Sequence, residues 1–479
     1  MTDAPLPGAA PNPGPGPRLG KPRRSLRRRS IATAAWSMGG VGLQRSLSLA
    51  SNLVMTRLLL PEAFGLMAIV TTVLMMGEMV SDIGVRQSVV RSERGEDLRF
   101  LRIAWTVQVV RSGAIALLVV LVAAAIWALG PALASPGSVY ADPRLAPLVA
   151  AASGAVILRG MATTAIWRAS RRLEVGANIV ISVASQVISI VAMVLGALVF
   201  GATVWVLLLG MLFGSFVSLV MGHVVYRDAP MRPAWDREVT GEMWRFGRWI
   251  ILSSMATFVA QSGDRFVLGA LLDTETFGLY AVASIWLGTG LMVVDRLSGA
   301  VIFSTLAEVL RERRRDFPRL LARVRLLFDG VLLFFFVACL VLAGPVIGLL
   351  YTSEYAAAAP ILALLSLRFL ALRQRPLQMF LTAEGRSDVV AGATVLGAAT
   401  MVAGVPLAWH LGGLGAAVIV VAMAPLAASP ITFRAARRQM PGLPIRLDLL
   451  IVPAVVAAAV AVYLAVGHTV TAVGGGGAG

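Results

Sequence analysis

The sequence predicts an all-α polytopic membrane protein. Its two parallel-repeat six-helix bundles surround a central cavity, and an extra C-terminal helix brings the total to 12–14 spans. Three observations carry that prediction. The 479 residues are 58% hydrophobic and 14% charged, with a mean hydropathy of +0.81, whereas soluble domains carry roughly 25% charged residues. Apolar stretches of about 20 residues, each long enough to span a bilayer, recur along the whole chain. A single shift of 213 residues lays the first half of the chain over the second.

Residues 1–30 begin in Pro, Gly and Ala and end in the basic run Arg23, Arg24, Arg27, Arg28, Arg29. Such a segment cannot bury a core and reads as a disordered basic tail. The apolar run after it carries Arg45 and lacks a small-residue cleavage site, which favours a retained first helix over a cleaved twin-arginine signal. Spanning segments follow near residues 33–59, 64–88, 103–129, 146–167, 177–200 and 202–225, making an N-terminal bundle over 31–225. Residues 226–248 read as a polar linker. A second set near 249–272, 277–303, 326–350, 356–372, 388–410 and 412–432 makes a C-terminal bundle over 249–433. Residues 434–479 hold a basic loop, an apolar segment near 449–467 and a Gly-rich tail.

The charges check this division. The chain carries a net +17, and Lys21 is its only lysine. Arginines fall in every second connection: Arg91, Arg94, Arg99 and Arg102; then Arg168, Arg171 and Arg172; then Arg232, Arg237 and Arg245; then five between Arg311 and Arg319; then Arg373, Arg375 and Arg386; then Arg434, Arg437 and Arg438. The intervening connections are nearly free of them. Basic loops stay in the cytoplasm, so this alternation places the N-terminus and every even connection there. It also accounts for the basic excess without nucleic acid as a partner. The lone Cys339 excludes a disulfide framework and a thiolate metal cluster, and the three histidines sit on different segments with no ligand spacing between them. No catalytic set or cofactor motif stands out.

The repeat has a register. The 213-residue shift superposes Phe64-Gly65-Leu66 on Phe277-Gly278-Leu279, Trp36 on Trp249, Gly77 on Gly290, Met79-Val80 on Met292-Val293 and Asp82 on Asp295. Six helices separate the copies, and an even number preserves orientation, so the halves are parallel repeats about an axis along the membrane normal.

Ionisable groups at mid-membrane depth cost about 2.5–3.5 kcal/mol each, so they mark candidate sites. Arg45 sits roughly 17–20 Å into the first helix at 1.5 Å per residue, with Ser48 and Asn52 on the same face at i+3 and i+7. The seventh helix carries the stripe Ser254, Thr257, Gln261 and Asp264, with Arg265 falling on Asn52 under the shift. Arg159 and Arg368 also lie near the midplane. Facing the cavity between the halves, these four arginines would grip an oxyanion through paired hydrogen bonds. Alternatively, Arg45 pairs with Glu78, and Arg265 with Asp264. Asp82 with Arg86, and Asp295 with Arg296, lie near the basic end and read as a gate or hinge. Arg111 and Asp329 are close enough to that end to snorkel.

The residues that carry the repeat also resemble a family. Arg57-Leu58-Leu59-Leu60-Pro61-Glu62-Ala63-Phe64-Gly65, followed by Ser81-Asp82-Ile83-Gly84 and a basic loop, is similar to the pattern of the Wzx-type polysaccharide-transport flippases. These belong to the multidrug/oligosaccharidyl-lipid/polysaccharide (MOP) exporter superfamily. Ser353-Glu354-Tyr355 and Ala383-Glu384-Gly385-Arg386 resemble that family too. The resemblance implies a V-shaped pair of bundles in a bacterial inner membrane. They would move undecaprenyl-pyrophosphate-linked oligosaccharide to the periplasmic leaflet by alternating access, without a cofactor and alongside a polymerase and glycosyltransferases. The alternatives are a lipid II flippase or an ion-coupled drug exporter of the same superfamily and, more distantly, a membrane glycan polymerase. Arginines outnumber acids at mid-depth, which disfavours a site for cationic drugs, and the short outer connections disfavour a polymerase.

Overall fold

A computed structural model describes the chain between residues 24 and 470, apart from 81–83, 173, 175, 230, 313–316, 442–452, 454, 456 and 467–469. Among the described residues there is no β-strand, only an isolated antiparallel bridge between Ser138 and Asp273.

The first half runs through α1 (Arg24–Thr56), α2 (Pro61–Val80), the short α3 (Val85–Arg91) and α4 (Leu98–Leu133). Its fourth rod is broken into α5 (Leu145–Gly160) and α6 (Ala165–Arg171), bent by 55°, and α7 (Gly176–Phe200) and α8 (Val204–Val225) follow. The second half repeats the plan with α9 (Arg237–Leu271), α10 (Thr274–Leu297), the short α11 (Ser304–Glu312) and α12 (Phe317–Leu350). Its fourth rod is also broken, into α13 (Ala358–Leu365), α14 (Leu367–Ala371) and α15 (Arg375–Ala383). In α16 (Ser387–Met423) the chain reverses at Gly412 and Gly413. At φ 65°, ψ −156°, Gly413 holds a conformation open essentially to glycine alone. The two arms of α16 then pack side by side, Gly404 against Val420 and Gly397 against Ala424, and α17 (Ser429–Gln439) ends the half. A short apolar helix lies at Ala457–Val466.

Local signals set these boundaries. The Asp97 side chain accepts from Arg99 N–H at 3.1 Å to start α4, and Asp236 caps Glu238 and Val239 to start α9 inside the stretch read as linker. The Asp273 side chain caps α10, whereas its counterpart α2 starts on Pro61. Both α2 and α10 carry a glutamate in the first turn, Glu62 and Glu275, which favours the N-terminal end of a helix dipole.

Eight described helical stretches are long and apolar enough to cross a membrane, or nine with the bent α5–α6 pair. The reversal in α16 makes two passes of one such stretch. α1 and α9 are long enough but more polar, because they carry the stripes read from the sequence. Burial sorts the rods: 61% and 56% of the apolar windows of α2 and α10 are buried, against 28% for α4 and 22% for α12. The central pair is therefore packed by protein, and the outer rods show Leu, Val and Phe to lipid.

At the arginine-poor end the two halves meet closely. α2 crosses α10 at Gly65 and Gly278, with the backbone of Thr274 against Gly65 and that of Pro61 against Gly278. Beside the crossing, Ser135 N–H and Val139 N–H donate to Ala270 O and Leu272 O at 3.3 and 3.1 Å. On the opposite side the Tyr355 hydroxyl donates to Leu59 O at 2.6 Å, and the ring meets Phe64 edge-on. Leu59 and Leu272 are equivalent under the 213 shift, so the loop after each half's third rod hydrogen-bonds to the same place in the other half, the turn before its second long helix.

Candidate transport cavity

Away from that closed end, the first half contains a hollow of about 540 Å³. Glu78 and Met79 of α2, Arg86 of α3, Gln108, Arg111 and Ser112 of α4, Arg159 of α5 and Trp167 of α6 line it, with Ser254 of α9 from the other half. Arg159 Nη1 reaches Glu78 Oε1 at 2.9 Å, and both side chains remain about half exposed to the hollow. Three arginines against one glutamate leave it cationic.

The break between α5 and α6 shapes this wall. A broken helix leaves carbonyls without intrahelical donors, and α4 supplies them. Gln108 Nε2 donates to Gly160 O at 2.7 Å and Ala162 O at 3.2 Å, while Trp105 Nε1 donates to Met161 O at 3.1 Å. A side chain at Gly160 would collide with Ser112. At the rim, outside the bilayer-spanning part, Arg172 Nε donates to Glu96 at 3.1 Å, and that hydrogen bond holds the carboxyl below its ordinary range.

The second half contains two adjoining hollows of about 140 and 240 Å³ that share Gln261 and Arg368. The smaller takes in Asp264, Arg265, Tyr280 and Ser284, and the larger Thr257, Gln374, Arg375 and Gln378. Arg368 Nη1 donates to Val421 O at 2.8 Å, and the Tyr280 hydroxyl donates to Asp264. Gln374, in the break of the fourth rod, donates to Pro425 O and accepts from Ser429.

The structure thus distributes the residues marked in the sequence over several places. Arg159, Glu78 and Arg86 come together in the first-half hollow, and Gln261, Asp264, Arg265 and Arg368 in the second-half groove. Arg45 and Ser48 are exposed on α1 and line none of these hollows. Asn52 accepts from the Tyr351 hydroxyl at 2.8 Å, which in turn accepts from Trp286 Nε1 at 2.9 Å. Arg265, its repeat partner, reaches Thr72 of α2 at 3.4 Å, so each of these two positions ties its helix to the other half. Asp295 pairs with Arg375, and Arg296 beside it is exposed. Asp82 lies outside the described residues. Arg111 lines the first-half hollow, whereas Asp329 pairs with Arg373 at 2.8 Å. The spacing of Gln108, Arg111 and Ser112 at i, i+3 and i+4 was the sequence signal for that wall.

Two bundles related by a repeat, meeting at one end and enclosing polar hollows among lipid-facing rods, share the fold of solved MOP-superfamily transporters. A multidrug resistance transporter of the MATE family in its inward-facing conformation has the same fold. It superposes with a TM-score of 0.62 over 84% of this chain and 96% of that one, at 13% identity. The lipid II flippase MurJ in an inward closed conformation gives 0.60 over 90% and 93%, at 14% identity. More particularly, residues 54–360 match the family described as polysaccharide biosynthesis protein, and the chain belongs to that family. It is 27% identical to the succinoglycan biosynthesis transport protein ExoT of Rhizobium meliloti (strain 1021), over 66% of this chain and 61% of that protein. That match spans less than two thirds of ExoT. The lipopolysaccharide biosynthesis protein WzxC of Escherichia coli (strain K12) is 23% identical over 76% of this chain and 72% of its own length.

Proposed function

We propose that this protein flips a lipid-linked oligosaccharide, its saccharide joined to a prenyl chain through a diphosphate, between the leaflets of a bacterial inner membrane. The carrying observation is the first-half hollow, where Arg86, Arg111 and Arg159 face one space with Glu78 as their only acidic neighbour among its lining residues. Guanidinium groups bind phosphate oxygens bidentately, and they do so more strongly where water is partly excluded. The arginine-rich end, with the N-terminus, faces the cytoplasm by the positive-inside tendency. The contact at Gly65 and Gly278 then closes the periplasmic side, and the diphosphate enters from below. Alternating closure at the two ends moves the cargo with no covalent step, so the chain acts as a transporter between glycosyltransferases and a polymerase. A cationic drug is poorly served, because Glu78 is already engaged by Arg159.

The test is complementation of a host strain lacking the gene. Replacing Arg111 and Arg159 together by Ala is expected to abolish polysaccharide export while the protein remains in the membrane at normal abundance. Full export by that double variant would overturn the reading.

A further inference from the structure

The geometry points to a division of the cargo between the halves: the diphosphate in the first-half hollow, and the saccharide hydroxyls in the second-half groove at Gln261 and Gln378. This rests on the flippase reading above.

The two spaces meet along one helix. Ser254 of α9 lines the first-half hollow, Thr257 lines the larger second-half hollow, and Gln261 lines both second-half hollows. At i, i+3 and i+7 they share one face of α9, and from Ser254 to Gln261 the helix rises only about 10 Å. A ligand with its charged end beside Ser254 therefore reaches Gln261 within a short oligosaccharide's length.

The side chains available in the two spaces differ in kind. In the first-half hollow Gln108 Nε2 caps carbonyls of the broken helix, and the Ser112 hydroxyl donates to Val109 O. What faces the hollow is chiefly guanidinium. In the second half Arg375 pairs with Asp295, Asp264 accepts from Tyr280, and Arg368 donates to Val421 O. Among the described residues, neither the Gln261 nor the Gln378 amide has a hydrogen-bond partner. A primary amide presents two donors and an acceptor oxygen with two lone pairs, which matches a pair of sugar hydroxyls that must both give and receive hydrogen bonds. Gln261 is exposed to the groove and Gln378 half-buried in its wall, so a ligand can reach both.

Binding to the full-length protein in lipid nanodiscs separates the two roles. The probes are undecaprenyl pyrophosphate and the lipid-linked saccharide pool extracted from host cells lacking the protein. Q261A/Q378A is expected to weaken binding of the saccharide pool by roughly tenfold, from two neutral hydrogen-bonding groups lost, while undecaprenyl pyrophosphate binds within twofold of wild type. Q378A alone should give a smaller loss of the same sign. R111A/R159A should weaken both probes. Equal weakening of both probes by the glutamine variants, or no weakening of either, overturns the division. Failure of the wild-type protein to bind either probe overturns the flippase reading itself.

Discussion

Gly65 and Gly278 face one another where α2 crosses α10, and they are repeat partners under the 213-residue shift. A Cβ on Gly65 would meet Thr274 O, with Gly278 N at 3.0 Å and Gly278 Cα at 3.4 Å, while a Cβ on Gly278 would meet Pro61 O. Pro61 and Thr274 are themselves repeat partners. The contact is therefore self-complementary in the manner of a two-fold interface, folded into one chain.

Both colliding atoms are backbone, so a side chain here cannot be absorbed by a rotamer change. Gly65→Ala or Gly278→Ala should destabilise the closed end by about 1–3 kcal/mol, a shift of roughly 5- to 150-fold in its equilibrium. In a Cys339→Ser background, a cysteine at the buried position Leu272 is expected to be inert to a water-soluble maleimide. Adding Gly65→Ala should make it reactive. Unchanged protection would show that this crossing does not hold the end shut.

Tyr355 is fully buried, and its hydroxyl supplies a hydrogen bond to Leu59 O at 2.6 Å. Tyr355→Phe keeps the ring against Phe64 but leaves the carbonyl without that donor, at a cost of about 1–3 kcal/mol. Tyr351→Phe, which removes the hydroxyl between Trp286 and Asn52, acts on partly buried groups and should cost less. Thermal unfolding in detergent is expected to rank wild type above Tyr351→Phe and Tyr351→Phe above Tyr355→Phe.

Both sites show what a sequence can and cannot display. The register that equates Phe64 with Phe277 is visible because the copies kept their residues, but that the two copies touch is a property of packing. That the chain is built from membrane-spanning helices is legible in apolar length, which follows from the bilayer itself. Which acid an arginine chooses is not: Glu78 lies near enough in sequence terms to serve Arg45, yet pairs with Arg159, because the rotation of each rod about its axis decides the partner. Arg111 read as a snorkelling residue when depth was counted from residue 103. α4 in fact begins at Leu98, and the hollow extends to Arg111.

The break between α5 and α6 contains no proline, so it is sustained by tertiary contacts with α4. Gln108→Leu is close in volume but withdraws the donor from Gly160 O and Ala162 O, at a cost of about 1–3 kcal/mol for the exposed acceptors. Hydrogen exchange across residues 158–168 should accelerate in this variant while that of α7 and α8 stays as in wild type. Uniform acceleration over the whole half would mean that Gln108 supports the bundle rather than the break.

On the flippase reading, Glu78 acts on the cargo in one of two opposite ways, and the sign of one substitution separates them. If its carboxylate competes with phosphate for Arg159, then Glu78→Gln frees the guanidinium and tightens binding of undecaprenyl pyrophosphate. If it positions Arg159, the same change loosens binding. The pair is about half exposed on both sides, 47% and 40%, so its own strength is that of a solvated ion pair, about 0–1 kcal/mol. A partner held that weakly gives little positional rigidity, whereas removing its charge takes away the one carboxylate among the described lining residues of the hollow. Competition should therefore dominate. Glu78→Gln is expected to tighten binding by a factor of up to about five, Arg159→Ala to weaken it further than that, and the double variant to match Arg159→Ala alone. Weaker binding in Glu78→Gln would assign Glu78 the positioning role instead.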